Sequence, residues 1–362
     1  MYVRNESAAR TGNVTNDCST ISGVMIPIPQ YPIYSATIDL LDGQKVGYFL
    51  DEEKNWDLNL EELERSLKEA TEKGIDVRAL VLINPGNPTG QVLSEGAVQD
   101  IVKFCAKHRL VLLADEVYQA NIYDDDLKFN SCKKAAYDAG VHDTIELASF
   151  HSTSKGLYGE CGKLASSDMC AALVYHQLDV DSLYHAGRRG GYMELFGFDD
   201  DVKGHVYKLA SSSLCSTVSG QIMTSLMVRG PEPGDESYES HEAEKEAIFQ
   251  SLKRRAKLVS DGLDAIDGFS CQPAQGAMYC FPKVDMPAGA IKAAKDMNIT
   301  PDALYAVSLL EATGICVVPA SGFEQRVGRY GFRTTFLPSE EEMARCVDAI
   351  RMHYETFCRE YA

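Results

Sequence analysis

From Gly23 onward, short apolar runs alternate with stretches whose apolar residues recur at helical spacing. Leu60, Leu63, Leu67 and Ala70 fall on one face of a helix that should end near Gly74. The run Ala79 to Pro85, ALVLINP, is a continuous apolar stretch stopped by a proline, the pattern of a strand buried on both sides. Ser94 is placed to cap a further helix carrying Ile101, Phe104 and Cys105. Leu110 to Ala114 and Ile145 to Phe150 are two more apolar strands. Strands separated by helix-length segments pair in parallel, with the connecting helices on the faces of the sheet, so the fold class is α/β.

The pattern changes after Gly230. Pro231, Pro233 and Gly234 break regular structure, and a charged helical stretch follows to about Gly262. Short strands around Met278 to Phe281 and Ile315 to Pro319, then a closing helix from about Ser339 to Tyr361, suggest a smaller α+β unit. The expected organisation is a large α/β domain over 23–230 and a small α+β domain over 235–362. Residues 1–22 are polar and aperiodic and are expected to form a disordered leader.

Composition narrows the functional classes. The chain has 362 residues and a formal net charge of −18, so most of its surface repels phosphate backbones and anionic headgroups. Neither nucleic acid nor a membrane is an expected partner, and no run approaches the roughly 20 apolar residues of a membrane span. The eleven cysteines include no C-x-x-C pair and read as reduced core thiols, with no metal site. The expected compartment is the cytoplasm, with the mitochondrion left open.

Three motifs carry chemistry, each at the carboxyl end of an expected strand, where open α/β sheets bind ligands. Asn84 to Gly90, NPGNPTG, fixes an unusual backbone path with two prolines and two glycines. Asp115 lies in ADEVY, and Lys155 follows the hydroxyl-rich run STS 40 residues later (155−115). A lysine with a partly neutral amine can form an imine with an aldehyde cofactor, and a carboxylate that keeps a pyridine nitrogen protonated turns that cofactor into an electron sink. Singly, NPGNPTG could be a structural turn, Asp115 a strand-end carboxylate and Lys155 a surface lysine.

Taken in order, the motifs resemble the class I aminotransferases that use pyridoxal 5'-phosphate, and the finer wording resembles their alanine aminotransferase branch. The segments are IPIPQYPIYSATI from Ile26, LINPGNPTGQVLS from Leu82, LLADEVYQANIY from Leu112, SFHSTSKGLYGECG from Ser149, RGGYMEL from Arg189, GDESYESHEAEK from Gly234, QGAMY from Gln275 and GFRTTFLP from Gly331. The resemblance implies the type I aminotransferase fold, a homodimer, and transfer of the amino group of L-alanine to 2-oxoglutarate in a ping-pong cycle. It implies that Lys155 holds the cofactor and shuttles the substrate proton, and that Asp115 pairs with the pyridine nitrogen. Asn87 and Tyr118 would hydrogen-bond the phenolic oxygen, and Tyr31 would stack on the ring. Ser152 and Arg189 would bind the phosphate, and Arg333, with Asn87, would grip the substrate carboxylate. Without the resemblance, Tyr31 is equally a core tyrosine and Arg333 a strand arginine.

Two departures from the family pattern bear on activity. The family's opening segments, including a Gly-Ala-Ser loop at a helix N-terminus that cradles the phosphate, have no counterpart before Gly23, which should weaken cofactor binding. Residues 164–188 read as an insertion: without them GECGK runs straight into RGGYMEL, whereas here Arg189 stands 34 residues after Lys155 (189−155). Arg189 reaches its place only if the insert loops out from a closed base. The alternative function is therefore a catalytically impaired relative, truncated or mis-spliced, that acts at most as a dimer partner.

Overall fold

A computed structural model describes residues 21–155, 190–212 and 217–362. The insertion 164–188 and Arg189 lie outside the described residues, as do residues 1–20 of the expected leader. Ile21 and Ser22, also assigned to the leader, instead open a strand, β1 (Ile21–Ile28), where they lie opposite Ile75 and Asp76. The strand β3 continues past the apolar core of the sheet, and its backbone groups recruit these two residues into the ladder.

The central sheet has six strands in the order β2–β1–β3–β4–β5–β6, with β2 Gln44–Phe49, β3 Ile75–Ile83, β4 Val111–Asp115, β5 Leu147–Ser152 and β6 Gly191–Phe196. β1 to β5 pair in parallel, and β6 joins the edge antiparallel to β5. Side chains alternate across the sheet. Met25, Leu80, Leu82, Leu112 and Leu147 enter one core with Leu63, Val98 and Ile101, while Val24, Ile26, Val81, Ile83 and Val111 enter a second core with Ile38 on the opposite face. Burying a large aliphatic side chain such as Leu63, Leu80 or Leu112 stabilises the fold by about 1.5–3 kcal/mol each.

The helices follow from their caps and stripes. Helix α1 (Pro32–Leu40) begins with Pro32, whose ring presets the helical φ. In α2 (Leu60–Glu72) the Asn59 side chain accepts from the Glu61 amide at 2.9 Å, and Leu63 and Ala70 face the sheet. In α3 (Glu95–His108) Ser94 accepts from the Ala97 amide at 3.2 Å, and Ile101, Phe104 and Cys105 are buried. The short helix α4 (Cys132–Asp138) covers the same face. Helices α5 (Asp200–Ala210) and α6 (Val218–Val228) precede the stretch containing Pro231, Pro233 and Gly234, in which no regular element forms.

A separate core gathers the C-terminal elements. Helix α7 (Tyr238–Asp264) lays Leu252, Ala256, Val259 and Leu263 against α10 (Glu340–Glu360), with α8 (Ala288–Asp296) and α9 (Pro301–Thr313) completing the shell. Tyr305, Phe332, Tyr354 and Phe357 pack edge-to-face or stacked at its centre. Strands β7 (Phe269–Ser270) and β9 (Lys283–Val284) pair with each other, while β8 (Tyr279–Cys280), β10 (Val318–Pro319) and β11 (Phe332–Thr335) form a small antiparallel sheet in the order β10–β11–β8. It carries Tyr279 and Arg333 toward the ends of the large sheet. Among the described residues, no helix is long and apolar enough to cross a membrane, and no cluster of three or more His, Cys, Asp or Glu could hold a metal ion.

Candidate active site

Four loops leave the carboxyl ends of adjacent parallel strands and meet. After β1 comes the turn Pro29 to Tyr31, after β3 the loop NPGNPTG, after β4 the segment Glu116 to Tyr118, and after β5 the segment Thr153 to Lys155. The apolar strands end here because the next residues are prolines or polar groups, so the sheet delivers polar side chains to its rim.

Asp115 is the last residue of β4 and is half-buried. Its Oδ2 accepts a hydrogen bond from Tyr34 Oη at 2.7 Å, and its Oδ1 faces the Val117 amide at the long distance of 3.4 Å. Withdrawal from water pushes the Asp115 carboxyl above its ordinary range, opposed by the Tyr34 phenol, the Val117 amide and the charge of Lys155. The same carboxylate and burial push the Tyr34 phenol upward, so it remains a neutral donor.

Lys155 is half-buried beyond β5. Its Nζ stands 5.7 Å from the centroid of the Tyr118 ring and 3.4 Å from Tyr279 Oη. Tyr118 donates to Tyr279 Oη at 3.1 Å, with the two rings edge-to-face at 5.9 Å. Burial raises the Tyr118 phenol pKa, and the neighbouring Tyr279 and Asp115 add to the rise. A lysine amine and two buried phenols are thus joined in one hydrogen-bonded row.

Arg333, on β11, reaches the same place from the C-terminal core. Its Nη1 donates to Asn87 Oδ1 at 3.1 Å, and its guanidinium carbon lies 4.4 Å from the Tyr279 ring and 4.9 Å from the Phe323 ring. Two aromatic rings and one amide hold a fork that has no carboxylate within ion-pair distance among the described residues. Asn87 is buried and sits in a loop closed by backbone bonds from Gly86 to Gln91 and from Gly90 to Gly86. Gly90 has φ +74°, and a Cβ there would come within 2.9 Å of the Tyr279 carbonyl. Glycine thus permits the close approach that sets the loop against Tyr279.

Ser152 and Ser154 share a hydrogen bond of 2.7 Å between their hydroxyls, and Thr153 is tied to Gly190 through both its amide and its hydroxyl. Tyr31 is the N-cap residue of α1 and is exposed, in the turn that follows β1. Asp115, Lys155, Tyr118, Asn87 and Arg333 are therefore linked through shared contacts, Ser152 lies on the strand-end turn beside Lys155, and Arg189 lies outside the described residues. Sequence reasoning missed Tyr34, Tyr279 and Phe323. Tyr34 could have been found as the residue one helical turn beyond Tyr31 in QYPIY, and Tyr279 as the aromatic end of QGAMY; Phe323 leaves no such signal.

A family model for class I and II aminotransferases matches residues 14–350, which includes residues 14–22 of the segment read as a leader. The chain belongs to this family. It is 50% identical over 340 residues to "Alanine aminotransferase 2" of Panicum miliaceum, covering 94% of this chain and 65% of that protein. It is 48% identical to "Probable alanine aminotransferase, mitochondrial" of Dictyostelium discoideum, covering 59% of it, and 44% identical to "Glutamate--glyoxylate aminotransferase 1" of Arabidopsis thaliana, covering 66%. The chain thus spans about three fifths of the length of the alanine aminotransferases it matches. Among solved structures, the alanine aminotransferase of Pyrococcus furiosus aligns with a TM-score of 0.68 at 21% identity, covering 94% of this chain and 71% of that one, so the fold is that of the aminotransferases.

Proposed function

We propose that this aminotransferase uses pyridoxal 5'-phosphate to exchange the amino group of L-alanine with 2-oxoglutarate, acting as a homodimer. The observation that carries the reading is the hydrogen-bonded row Lys155–Tyr279–Tyr118, flanked by a raised carboxyl at Asp115 and by the Arg333 fork, which has no carboxylate partner among the described residues. The donor set fits the cofactor. Asp115 has acceptor capacity left at Oδ1, where the only hydrogen bond among the described residues is the long one from the Val117 amide, and it forms no ion pair among those residues, which suits a protonated ring nitrogen; paired hydroxyls at Ser152 and Ser154 suit a phosphate.

When bound, pyridoxal phosphate supplies an electron sink for charge that develops at the substrate α-carbon. Lys155 would hold it through Nζ, Asp115 would hold its ring nitrogen, and Ser152 and Arg189 its phosphate. Lys155 Nζ is then the group that carries the α-proton, because it is the basic atom in the row, and Tyr279 Oη at 3.4 Å orients it. Tyr118 and Asn87 supply hydrogen bonds beside it, and Tyr31 closes the open face. Arg333 binds the substrate carboxylate with a planar fork already fixed by Asn87, Tyr279 and Phe323, so little side-chain entropy is lost on binding. The names of the similar curated proteins support alanine as the amino donor.

The test is spectroscopic. Pyridoxal phosphate added to the purified chain should give a visible absorbance band that changes with L-alanine, and Lys155→Ala should abolish it. Borohydride reduction followed by peptide mapping should put the adduct on Lys155. A colourless wild type, or an adduct elsewhere, refutes the reading; a band that responds to glutamate and glyoxylate but not to alanine would keep the chemistry and correct the substrate.

A further inference from the structure

We propose that Tyr34 is a positioning residue for the cofactor: its phenol holds Oδ2 of Asp115 as a neutral donor, fixing the carboxylate so that Oδ1 is presented to the ring nitrogen. This rests on the reading of Asp115 as the residue that faces the pyridine.

The geometry is long-range and specific. Tyr34 lies in the first turn of α1, where Pro32 sets the helix start and the Tyr34 amide bonds back to the Tyr31 carbonyl at 3.1 Å. From there its side chain reaches past the end of β3 to the end of β4, and its Oη meets Asp115 Oδ2 at 2.7 Å across 81 residues of sequence. The ring packs against the core built from Val24, Ile26, Val81 and Ile83. Apolar packing fixes the ring, so the hydroxyl has one direction in which to donate.

The choice of a phenol matters chemically. A buried carboxylate without a partner gains a proton, and a protonated Asp115 would no longer stabilise a cationic ring nitrogen. An arginine or lysine at position 34 would keep Asp115 ionised but would neutralise it, leaving little attraction for the pyridinium. A phenol hydrogen-bonds the anion without contributing a positive charge. The directions of the two groups agree with this: the Tyr34 hydrogen bond lowers the Asp115 carboxyl against the upward push of burial, while Tyr34 itself is driven away from ionisation. The other groups facing the pair among the described residues are Tyr31, Tyr48, Tyr118, Lys155 and the Val117 amide, and none of these donates to Oδ2.

The experiment uses the full chain with pyridoxal phosphate carrying nitrogen-15 in its ring. In wild type the ring nitrogen should resonate at its protonated position. In Tyr34→Phe, which keeps the apolar ring, the resonance should move toward the unprotonated position and the affinity for pyridoxal phosphate should fall about tenfold, the equivalent of one pKa unit. With L-alanine, kcat should fall while KM stays near its wild-type value, because Arg333 is untouched. Incorporation of 4-fluorophenylalanine at position 34, which keeps nearly the shape of tyrosine but cannot donate, should shift the resonance the same way as Tyr34→Phe and serves as the test should Tyr34→Phe fold poorly. An unchanged resonance and affinity in the folded variants overturns the role of Tyr34 alone. A wild type that binds no pyridoxal phosphate overturns the role together with the reading of the site.

Discussion

Arg333→Lys isolates what the aromatic clamp contributes. The substitution keeps one positive charge but removes the planar fork that now donates to Asn87 Oδ1 at 3.1 Å and lies over the rings of Tyr279 and Phe323. A lysine can donate to one carboxylate oxygen from a given direction, so one charge-assisted hydrogen bond to the substrate is lost, worth about 1.5–3 kcal/mol. Its ammonium also sits less well between the two rings, at a cost of about 0.5–1 kcal/mol. Together these give about 2–4 kcal/mol, or about 30- to 900-fold in kcat/KM for L-alanine. The assay is a single-turnover absorbance measurement on the cofactor-loaded protein, run in parallel with L-alanine and with alaninamide, which has no carboxylate. The ratio of the two rates should collapse by that factor, with alaninamide nearly unaffected. If alanine and alaninamide slow equally, or if the alanine rate changes by less than about threefold, Arg333 is not the carboxylate partner and the argument from its clamped fork is wrong.

Two further outcomes follow from the same geometry and from the C-terminal core. Tyr279→Phe removes the hydroxyl between Lys155 and Tyr118 but leaves the ring under Arg333, so steady-state kinetics should show kcat down about tenfold with KM for alanine little changed; the reverse split would mean Tyr279 serves binding only. Ser339→Ala breaks the capping box in which Ser339 and Glu342 each bond the other's backbone amide and should cost about 1 kcal/mol of stability in urea melts near neutral pH. The Glu342 carboxyl is held below its ordinary value first by the Ser339 side chain and then by its amide. Its folded pKa lies below the unfolded one, so its stabilisation is present above the usual carboxylate range and fades as pH falls through the folded value; the variant should therefore lose less on acidification than the wild type does.

The contrast between what could be read in the chain and what could not has a physical basis. Asp115, Asn87 and Lys155 were legible as candidates because each follows a run whose apolar period announces a strand and whose end must lie at the rim of the sheet. Ser94 was legible for a different reason, since a cap is a local device decided within four residues, and the start of the closing helix near Ser339 was read the same way from local pattern. The direction of β6 was not: a six-residue strand has the same alternation read either way, so its antiparallel pairing with β5 leaves no mark in the local pattern. The partners of the site residues were equally hidden. Arg333 and Asn87 are 246 residues apart, and Tyr34 on α1 and Asp115 on β4 are 81 apart.

This division separates two kinds of information within the site. The groups that carry the chemistry sit at strand ends because the sheet makes a rim, and a local pattern suffices to point at them. The groups that set their charge and aim, Tyr34 on Asp115 and Tyr279 with Phe323 on Arg333, are supplied by other elements only after α1 and the C-terminal strands have packed. The Gln30 amide, which donates to the Phe323 carbonyl at 2.7 Å, ties the turn before α1 to the segment that clamps Arg333. The Arg333 fork and the Asp115 carboxylate therefore share one scaffold. A substitution that loosens the seam between Gln30 and Phe323 should disturb both substrate and cofactor binding, although neither residue bears a reactive group.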